Sequence, residues 1–223
     1  MSRGNSEQDI YLSDDDRHDF LEKLAEVVSK FDWECYAYCL MDTHYHLLIE
    51  TPQANLSEGM HKLNSDYCKR FNWKHEKAGH LFQERFNSPL IEKERHLYNA
   101  ISYIALNPVK AGLVSDPGQW RWSSYRAISG FTPPPVFLNI SYTLSLFSDD
   151  IETARQAYFH FIAERLAEKE ERLTLQTLFQ GVENKQERNQ AIRIAYFDHG
   201  YMPMEIATYL GISRSTANRA LKE

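Results

Sequence analysis

Apolar and polar positions change period along the first 75 residues, which predicts two helices separated by a β-hairpin. After Ser13 and three aspartates, apolar residues recur at helical spacing up to about Phe31. The segments WECYAYCLM and HYHLLIE are aromatic and apolar, and the short Asp42-Thr43 turn between them predicts the hairpin. Asn55, with a glutamate three residues later, starts a second helix that carries one apolar stripe.

The rest of the chain is predominantly helical by the same criterion. A third helix is predicted from about Arg95 to Leu106, and we expect Pro108 to stop it. The proline run at 132–135 is a predicted boundary, and helical patterns follow it, ending in a pair of short helices from about 188 to 221. The pattern predicts an α+β domain at residues 1–131 and a helical region at residues 140–223.

Composition excludes several classes of protein. With 43% apolar and 25% charged residues, the chain is neither disordered nor collagen-like and can bury a core. Its three cysteines, Cys35, Cys39 and Cys68, show no paired spacing, which suits a reducing compartment. No apolar run is long enough to span a bilayer, so we expect a cytoplasmic protein without a membrane segment.

A net charge of −6 would argue against a nucleic-acid partner if the acidic residues were spread evenly along the chain. The acidic residues are instead concentrated near the start of the chain. Residues 1–60 contain 4 Lys and Arg against 13 Asp and Glu, whereas residues 61–126 contain 11 against 6. The middle third is therefore basic, and it is also rich in aromatic residues. An anionic partner such as DNA stays possible.

Two histidines, His44 and His46, lie two positions apart in the second predicted strand, so both imidazoles leave the same face of the sheet. Their Cα atoms would be about 6.6 Å apart, at ~3.3 Å per residue, which allows both rings to bind one cation. The alternative is a pair of partly exposed histidines with no ligand.

A second pair of candidate residues lies on the third predicted helix. Tyr103 and Asn107 are four apart, which puts them on one helix face, where a phenol nucleophile could stand beside an oxygen-donating metal ligand. The alternatives are a packing tyrosine and an asparagine that ends the helix before Pro108.

Several motifs together resemble one family. The chain is similar to the REP-associated tyrosine transposases of the HUH superfamily, which is named for a His-hydrophobic-His strand. The resemblance covers residues 2 to 130, the C-terminal part also resembles that of many relatives, and five segments carry it in order: AYCLMDTHYHLLIETP, NLSEGMHKLNSDYCKRFN, GHLFQERFNSPLIE, SYIALNPVKAGLV and WSSYRAISG.

The resemblance implies a fold. It predicts a ferredoxin-like antiparallel sheet with helices, in which Tyr45 occupies the hydrophobic position of the motif. Relatives usually have an additional strand before the SRGN-like segment, whereas Ser2 follows Met1 directly here, so we expect the first strand to be missing. We expect either that the true start lies upstream or that this copy is truncated.

The resemblance also implies a site. His44 and His46 match the paired metal-binding histidines, Asn107 matches the polar ligand, and Tyr103 matches the nucleophile. The family cleaves and rejoins single-stranded DNA, often at hairpins of palindromic repeats, through a 5′-phosphotyrosine. We therefore expect Mg²⁺ or Mn²⁺ as cofactor, hairpin DNA as partner, and a monomer or homodimer.

The residues suggest two DNA-binding surfaces. Basic side chains interleaved with Phe71, Trp73 and Phe82 offer phosphate contacts and stacking surfaces: Lys69, Arg70, Lys74, Lys77 and Arg85. The alternative is a solvated helix end above core aromatics.

The second surface is a predicted helix-turn-helix at about 202–222, with Gly211 in its turn and Ser213 capping the second helix. A helical hairpin that only packs on the core is the alternative. The side chains expected to face outward are Arg214, Ser215, Thr216, Asn218 and Arg219.

Three functions follow from these residues. The first is a metal-dependent tyrosine transposase, and the second is a non-catalytic DNA-binding protein derived from one. The third is a metal-dependent hydrolase that uses His44 and His46 and does not need Tyr103. A covalent protein–DNA adduct separates the first from the other two.

Overall fold

The computed structural model describes residues 1–5, 8–83, 85–91, 94–167, 173–201 and 203–221. Within them, a three-stranded antiparallel sheet is combined with ten α-helices, which confirms the α+β class. The chain forms two compact units, one of residues 1–86 and 104–162 and one of residues 87–103 and 163–223. The predicted division into domains of residues 1–131 and 140–223 stays a prediction.

The sheet consists of β1 (Ser2–Arg3), β2 (Glu34–Leu40) and β3 (His44–Glu50), in the order β1-β3-β2. The predicted hairpin is confirmed, with Leu40 opposite Tyr45 next to the turn. On the other side of β3, Ser2 pairs with Tyr45. Ser2 and Arg3 open the SRGN-like segment, which the family resemblance places after an additional strand. Here these two residues themselves form a short strand at the edge of the sheet.

Helices α1 (Asp14–Phe31) and α2 (Leu56–Lys74) are both confirmed, and they pack against each other over one face of the sheet. The Phe20 ring of α1 lies 4.6 Å from the Tyr45 ring of β3 and 5.2 Å from the Tyr67 ring of α2, measured between centroids. Tyr45 therefore points toward the helices. Since side chains alternate along a strand, its two histidine neighbours point to the opposite face.

The free edge of β2 is covered by the segment that follows α3. This segment contains a 3-10 turn (Pro117–Gln119) and two short helices, α4 (Tyr125–Ile128) and α5 (Ile140–Ser145). Backbone amides in it donate to carbonyls of β2, and the Leu40 amide donates back to Trp122. An unpaired strand edge is a site for aggregation, and this cover removes it. It also explains why six of the seven residues of β2 are buried without alternation.

Helix α3 (Glu94–Lys110) does not stop before Pro108 as predicted, but continues through it. A proline removes only its own amide donor, and near a helix end few bonds depend on it. The Ala111 amide still donates to Asn107 and the Leu113 amide to Pro108, so the last turn closes normally. Helix α6 (Ile151–Ala167) comes later in the chain.

The C-terminal unit contains α7 (Leu175–Leu178), α8 (Lys185–Phe197), α9 (Pro203–Leu210) and α10 (Arg214–Ala220). The sequence predicted a pair of helices from about 188 to 221, and the structure has three in that stretch. They enclose a small apolar core of Ile192, Ala195, Ile206, Ala220 and Leu221. Among the described residues, no helix is long and apolar enough to cross a membrane.

Asp16 connects helix α1 to the end of α2. Its carboxylate accepts from the backbone amides of Leu12 and Ser13 and lies 2.8 Å from Lys74 Nζ and 2.9 Å from His75 Nε2. Burial alone would raise the pKa of Asp16, but the bonds from Lys74, His75 and Leu12 outweigh it and hold the pKa at about 2. The folded state therefore favours the ionised carboxylate.

We expect Asp16 to make the stability of the protein sensitive to acid. Above about pH 5 the carboxylate is ionised in both states and its stabilisation is complete. Below that, the unfolded chain takes up the proton first, so roughly 2 kcal/mol is lost by about pH 2. Urea unfolding at several pH values measures the free energy of unfolding as a function of pH. Between about pH 2 and pH 5 this free energy should change less steeply with pH for Asp16→Asn than for the wild type. The exposed neighbour provides the control, since Asp15→Asn should keep the wild-type slope.

Candidate active site

His44 and His46 lie side by side on the face of β3 that points away from helices α1 and α2. Their ring centroids are 4.9 Å apart, with the ring planes nearly perpendicular at 85°. Both side chains are largely withdrawn from solvent, at 9% and 6% exposure. The strand thus brings two imidazoles together as predicted, and the pair is too buried to be two ordinary surface histidines.

The surroundings keep the His46 ring uncharged. Burial lowers its pKa well below the usual range, and the nearby His44, Arg3 and Lys110 lower it further. At neutral pH the ring therefore keeps a nitrogen lone pair. Lys110, one of the charges that lower this pKa, is the last residue of α3.

The His44 ring has a partner on its own turn. The Thr43 hydroxyl lies 3.0 Å from Nδ1 of His44. If Nδ1 donates to this oxygen, Nε2 carries the lone pair, which is the arrangement that metal-ligating histidines commonly use. Two adjacent imidazoles fit Mn²⁺ or another transition ion, whereas Mg²⁺ prefers oxygen ligands.

The predicted third ligand and the predicted nucleophile lie one turn apart on α3. Asn107 is buried, at 6% exposure, and belongs to the same compact unit as the two histidines. Tyr103 is half-buried and belongs to the other unit. Since α3 continues to Lys110, Asn107 lies inside the helix, and the interpretation of this residue as a helix terminator is wrong.

The described residues contain no group of three His, Cys, Asp or Glu side chains arranged to hold a metal ion. The predicted ligand set has two side chains of these types, His44 and His46, and its third member is the amide of Asn107. All three cysteines are free thiols, and Cys35 and Cys39 are buried in β2.

Part of the basic segment on α2 is neutralised by acids of α1. Arg70 Nε lies 3.1 Å from Asp19, and Lys74 contacts both Asp16 and Asp19. Of the other predicted DNA-binding residues, Lys69 is 77% exposed at its side chain, and Lys77 and Arg85 are also exposed. The sequence placed the acidic and basic segments apart, and the structure brings them together.

The three aromatic side chains of this segment have different environments. Phe71 is buried in the core at 1% exposure, and Phe82 packs against Tyr45 and Tyr67. Trp73 is 73% exposed, with the Arg70 guanidinium 5.1 Å from its ring centre. Of these three rings, Trp73 is therefore the one that offers an open stacking surface.

The C-terminal helices α9 and α10 are joined by residues 211–213, as the helix-turn-helix prediction requires. Gly211 adopts φ of +63°, and Ser213 caps α10 by accepting from the Thr216 amide at 3.2 Å. Ser215 and Arg219 are exposed, whereas three predicted contact residues are half-buried: Arg214, Thr216 and Asn218. Asn218 also accepts a hydrogen bond from Asn87, at 3.2 Å.

Sequence reasoning missed a polar network behind the histidine strand. The Tyr45 hydroxyl is fully buried and bonds Ser2 Oγ at 3.1 Å and Asn64 Oδ1 at 2.5 Å, while the Asn64 amide donates to Ser2. The network ties β1, β3 and α2 together. The sequence contained one signal of this network, because Tyr45 occupies the position that the His-hydrophobic-His motif fills with an apolar residue.

Comparison with known proteins gives two matches. Residues 5–107 match the family model described as transposase IS200 like. A putative REP-associated tyrosine transposase of Haemophilus influenzae is 28% identical over 120 residues, which cover 48% of this chain and 68% of the relative. No solved structure matches the chain. The two matches confirm the resemblance that the sequence motifs carry.

Proposed function

We propose that this chain, which matches the IS200-like transposase family model over residues 5–107, cleaves and rejoins single-stranded DNA at hairpins through a 5′-phosphotyrosine. The observation that carries the proposal is the pair of buried imidazoles that lie side by side on one face of β3, inside the matched region. The proposed substrate class goes further than the name of the relative from Haemophilus influenzae, which describes a REP-associated tyrosine transposase.

Each candidate residue has a defined part in this chemistry. The Tyr103 oxygen loses its phenolic proton and attacks the scissile phosphorus, the bond to the 3′ oxygen breaks, and that oxygen takes up a proton and leaves as a 3′-hydroxyl. His44, His46 and Asn107 would hold a divalent metal, Mg²⁺ or Mn²⁺, which supplies charge neutralisation at the phosphate when bound. Because the phosphodiester is conserved as a phosphotyrosine, a new 3′-hydroxyl can reverse the step without ATP.

Positive charge near the histidines favours a phosphate at this place. Arg3 and Lys110 are close enough to His46 to lower its pKa, and arginine and lysine are the cationic side-chain types. A phosphodiester approaching the imidazole pair would therefore meet an attractive potential. This local charge matters more for DNA binding than the net charge of −6.

We further propose that the α2 segment and the α9–α10 pair contact DNA. Lys69, Lys77 and Arg85 would bind phosphates of the unpaired strand beside Trp73. Arg70 and Lys74 are paired with acids of α1, and Lys69 is 77% exposed although it lies 3.9 Å from Asp66. On α10, the exposed Ser215 and Arg219 are best placed to touch a duplex stem, with Arg214, Thr216 and Asn218 less accessible.

Replacing Trp73 by alanine should weaken binding to single-stranded DNA. One base stacked on an aromatic ring contributes about 1–3 kcal/mol, so we expect roughly a tenfold increase in the dissociation constant. Trp73→Phe should retain most of the affinity, and the stability of the fold should not change because the ring is 73% exposed. Fluorescence anisotropy with a labelled oligonucleotide measures this, with Phe131→Ala, at another exposed aromatic, as the control.

The proposed chemistry is tested by searching for the covalent intermediate. The wild-type chain is incubated with hairpin DNA carrying a single-stranded 5′ flank and Mn²⁺, then denatured, and mass spectrometry locates any attached nucleotide. An adduct on a tyrosine supports the proposal. Binding without cleavage would instead indicate the non-catalytic protein, and cleavage that never passes through an adduct would indicate the hydrolase.

A further inference from the structure

The turn between β2 and β3 leads directly into His44, and other segments fix it in place. The Ile10 amide donates to the carbonyl of Asp42, and the Gly4 amide donates to the carbonyl of Thr43, both at 2.8 Å. The Thr43 hydroxyl in turn lies 3.0 Å from Nδ1 of His44. A displacement of this turn would therefore displace the His44 imidazole.

Asp42 is also held through its side chain, by an arginine 25 residues earlier. The Arg17 guanidinium on α1 forms an ion pair with the Asp42 carboxylate. Arg17 is 8% exposed, and its guanidinium carbon lies 5.2 Å from the ring centre of Tyr11, 5.5 Å from that of Trp122 and 6.0 Å from that of Trp120. Packed against three rings, this guanidinium is an immobile donor.

We propose that Arg17 is a positioning residue for His44, and that it acts through the Asp42 carboxylate and the turn that follows it. The inference rests on the proposed function, because it takes His44 as a metal ligand. Arg17 itself need not touch metal or DNA. Its effect is to hold the imidazole in a productive orientation before a ligand arrives, which lowers the cost of binding.

The structure supplies a matched control for this proposal. Arg17 also lies 3.8 Å from Asp14, a carboxylate with similar side-chain exposure, 53% against 43% for Asp42. Asp14 is on α1, the same helix as Arg17, and is no part of the turn. Removing Asp14 therefore takes one acidic partner from Arg17, and also one from the exposed Arg121, while leaving the ion pair of Arg17 with Asp42 in place.

The test compares Asp42→Ala, Asp42→Asn and Asp14→Ala in the full chain. Isothermal titration with Mn²⁺ should show about tenfold weaker binding for Asp42→Ala, as is typical when a group supporting a metal ligand is removed. Hydrogen exchange without metal should be faster for the peptide covering residues 40–47. Asp42→Asn, which can still accept from Arg17, should recover part of both effects, and Asp14→Ala should match the wild type in both.

Two outcomes would overturn this role of Arg17. One is exchange in residues 40–47 that stays at the wild-type rate in Asp42→Ala, and the other is an equal effect of Asp14→Ala. If the wild-type chain binds no Mn²⁺, the proposed metal role of His44 fails. Exchange in metal-free protein still decides in that case whether Arg17 holds the turn.

Discussion

A Tyr103→Phe chain is expected to form no covalent adduct with hairpin DNA, a loss of roughly three orders of magnitude or more in the yield of the intermediate. The substitution removes one oxygen atom and keeps the ring, so the half-buried packing of this side chain on α3 is preserved. Without the phenolic oxygen there is no nucleophile to form the phosphotyrosine. Denaturing electrophoresis of the reaction with labelled DNA measures the result directly.

Helix α3 contains a second half-buried tyrosine that serves as the control. Tyr98 is five residues before Tyr103, which turns it about 140° around the helix at ~3.6 residues per turn. Tyr98→Phe should therefore form the adduct at the wild-type level. Adduct formation by Tyr103→Phe, or its loss in Tyr98→Phe alone, would remove the nucleophile assignment from Tyr103. Binding of uncleaved DNA should be the same in all three proteins.

Local features of the chain could be predicted from sequence because short-range forces decide them. The capping box of Ser13 and Asp16, the hairpin of β2 and β3, and the shared face of His44 and His46 each depend on residues within a few positions of one another. Asn55 is a partial exception. It precedes α2 as predicted, but its side chain makes no cap bond and instead accepts from Trp33 and donates to the Phe31 carbonyl.

Features that depend on distant residues could not be predicted. The pairing of Arg70 and Lys74 with α1 joins segments about 50 residues apart, and it gives two of the five predicted phosphate contacts an acidic partner within the protein. The ion pair of Arg17 with Asp42 likewise joins residues that are far apart in the sequence. The prediction that helix α3 stops before Pro108 was wrong for a local reason. Proline disfavours the helix interior, but this rule does not exclude a proline in the last turn, where α3 has it.

A His46→Ala chain is expected to lose DNA cleavage by about 100-fold or more, since one of the two imidazoles on β3 is removed from the proposed metal site. His44→Ala should behave alike. Titration with Mn²⁺ should show weaker binding for both variants, and raising the Mn²⁺ concentration should restore part of the cleavage. This recovery would distinguish weakened metal binding from a damaged fold.

The exposed His61 on α2 provides the control, because His61→Ala also removes an imidazole but lies outside the histidine pair. It should keep both cleavage and Mn²⁺ binding. Thermal unfolding separates chemistry from stability, since His46 is buried and its truncation leaves a cavity. If His46→Ala stays folded, binds Mn²⁺ as the wild type does and still cleaves, the imidazole pair is structural. The cation must then be sought elsewhere, because the geometry of β3 would have no part in the reaction.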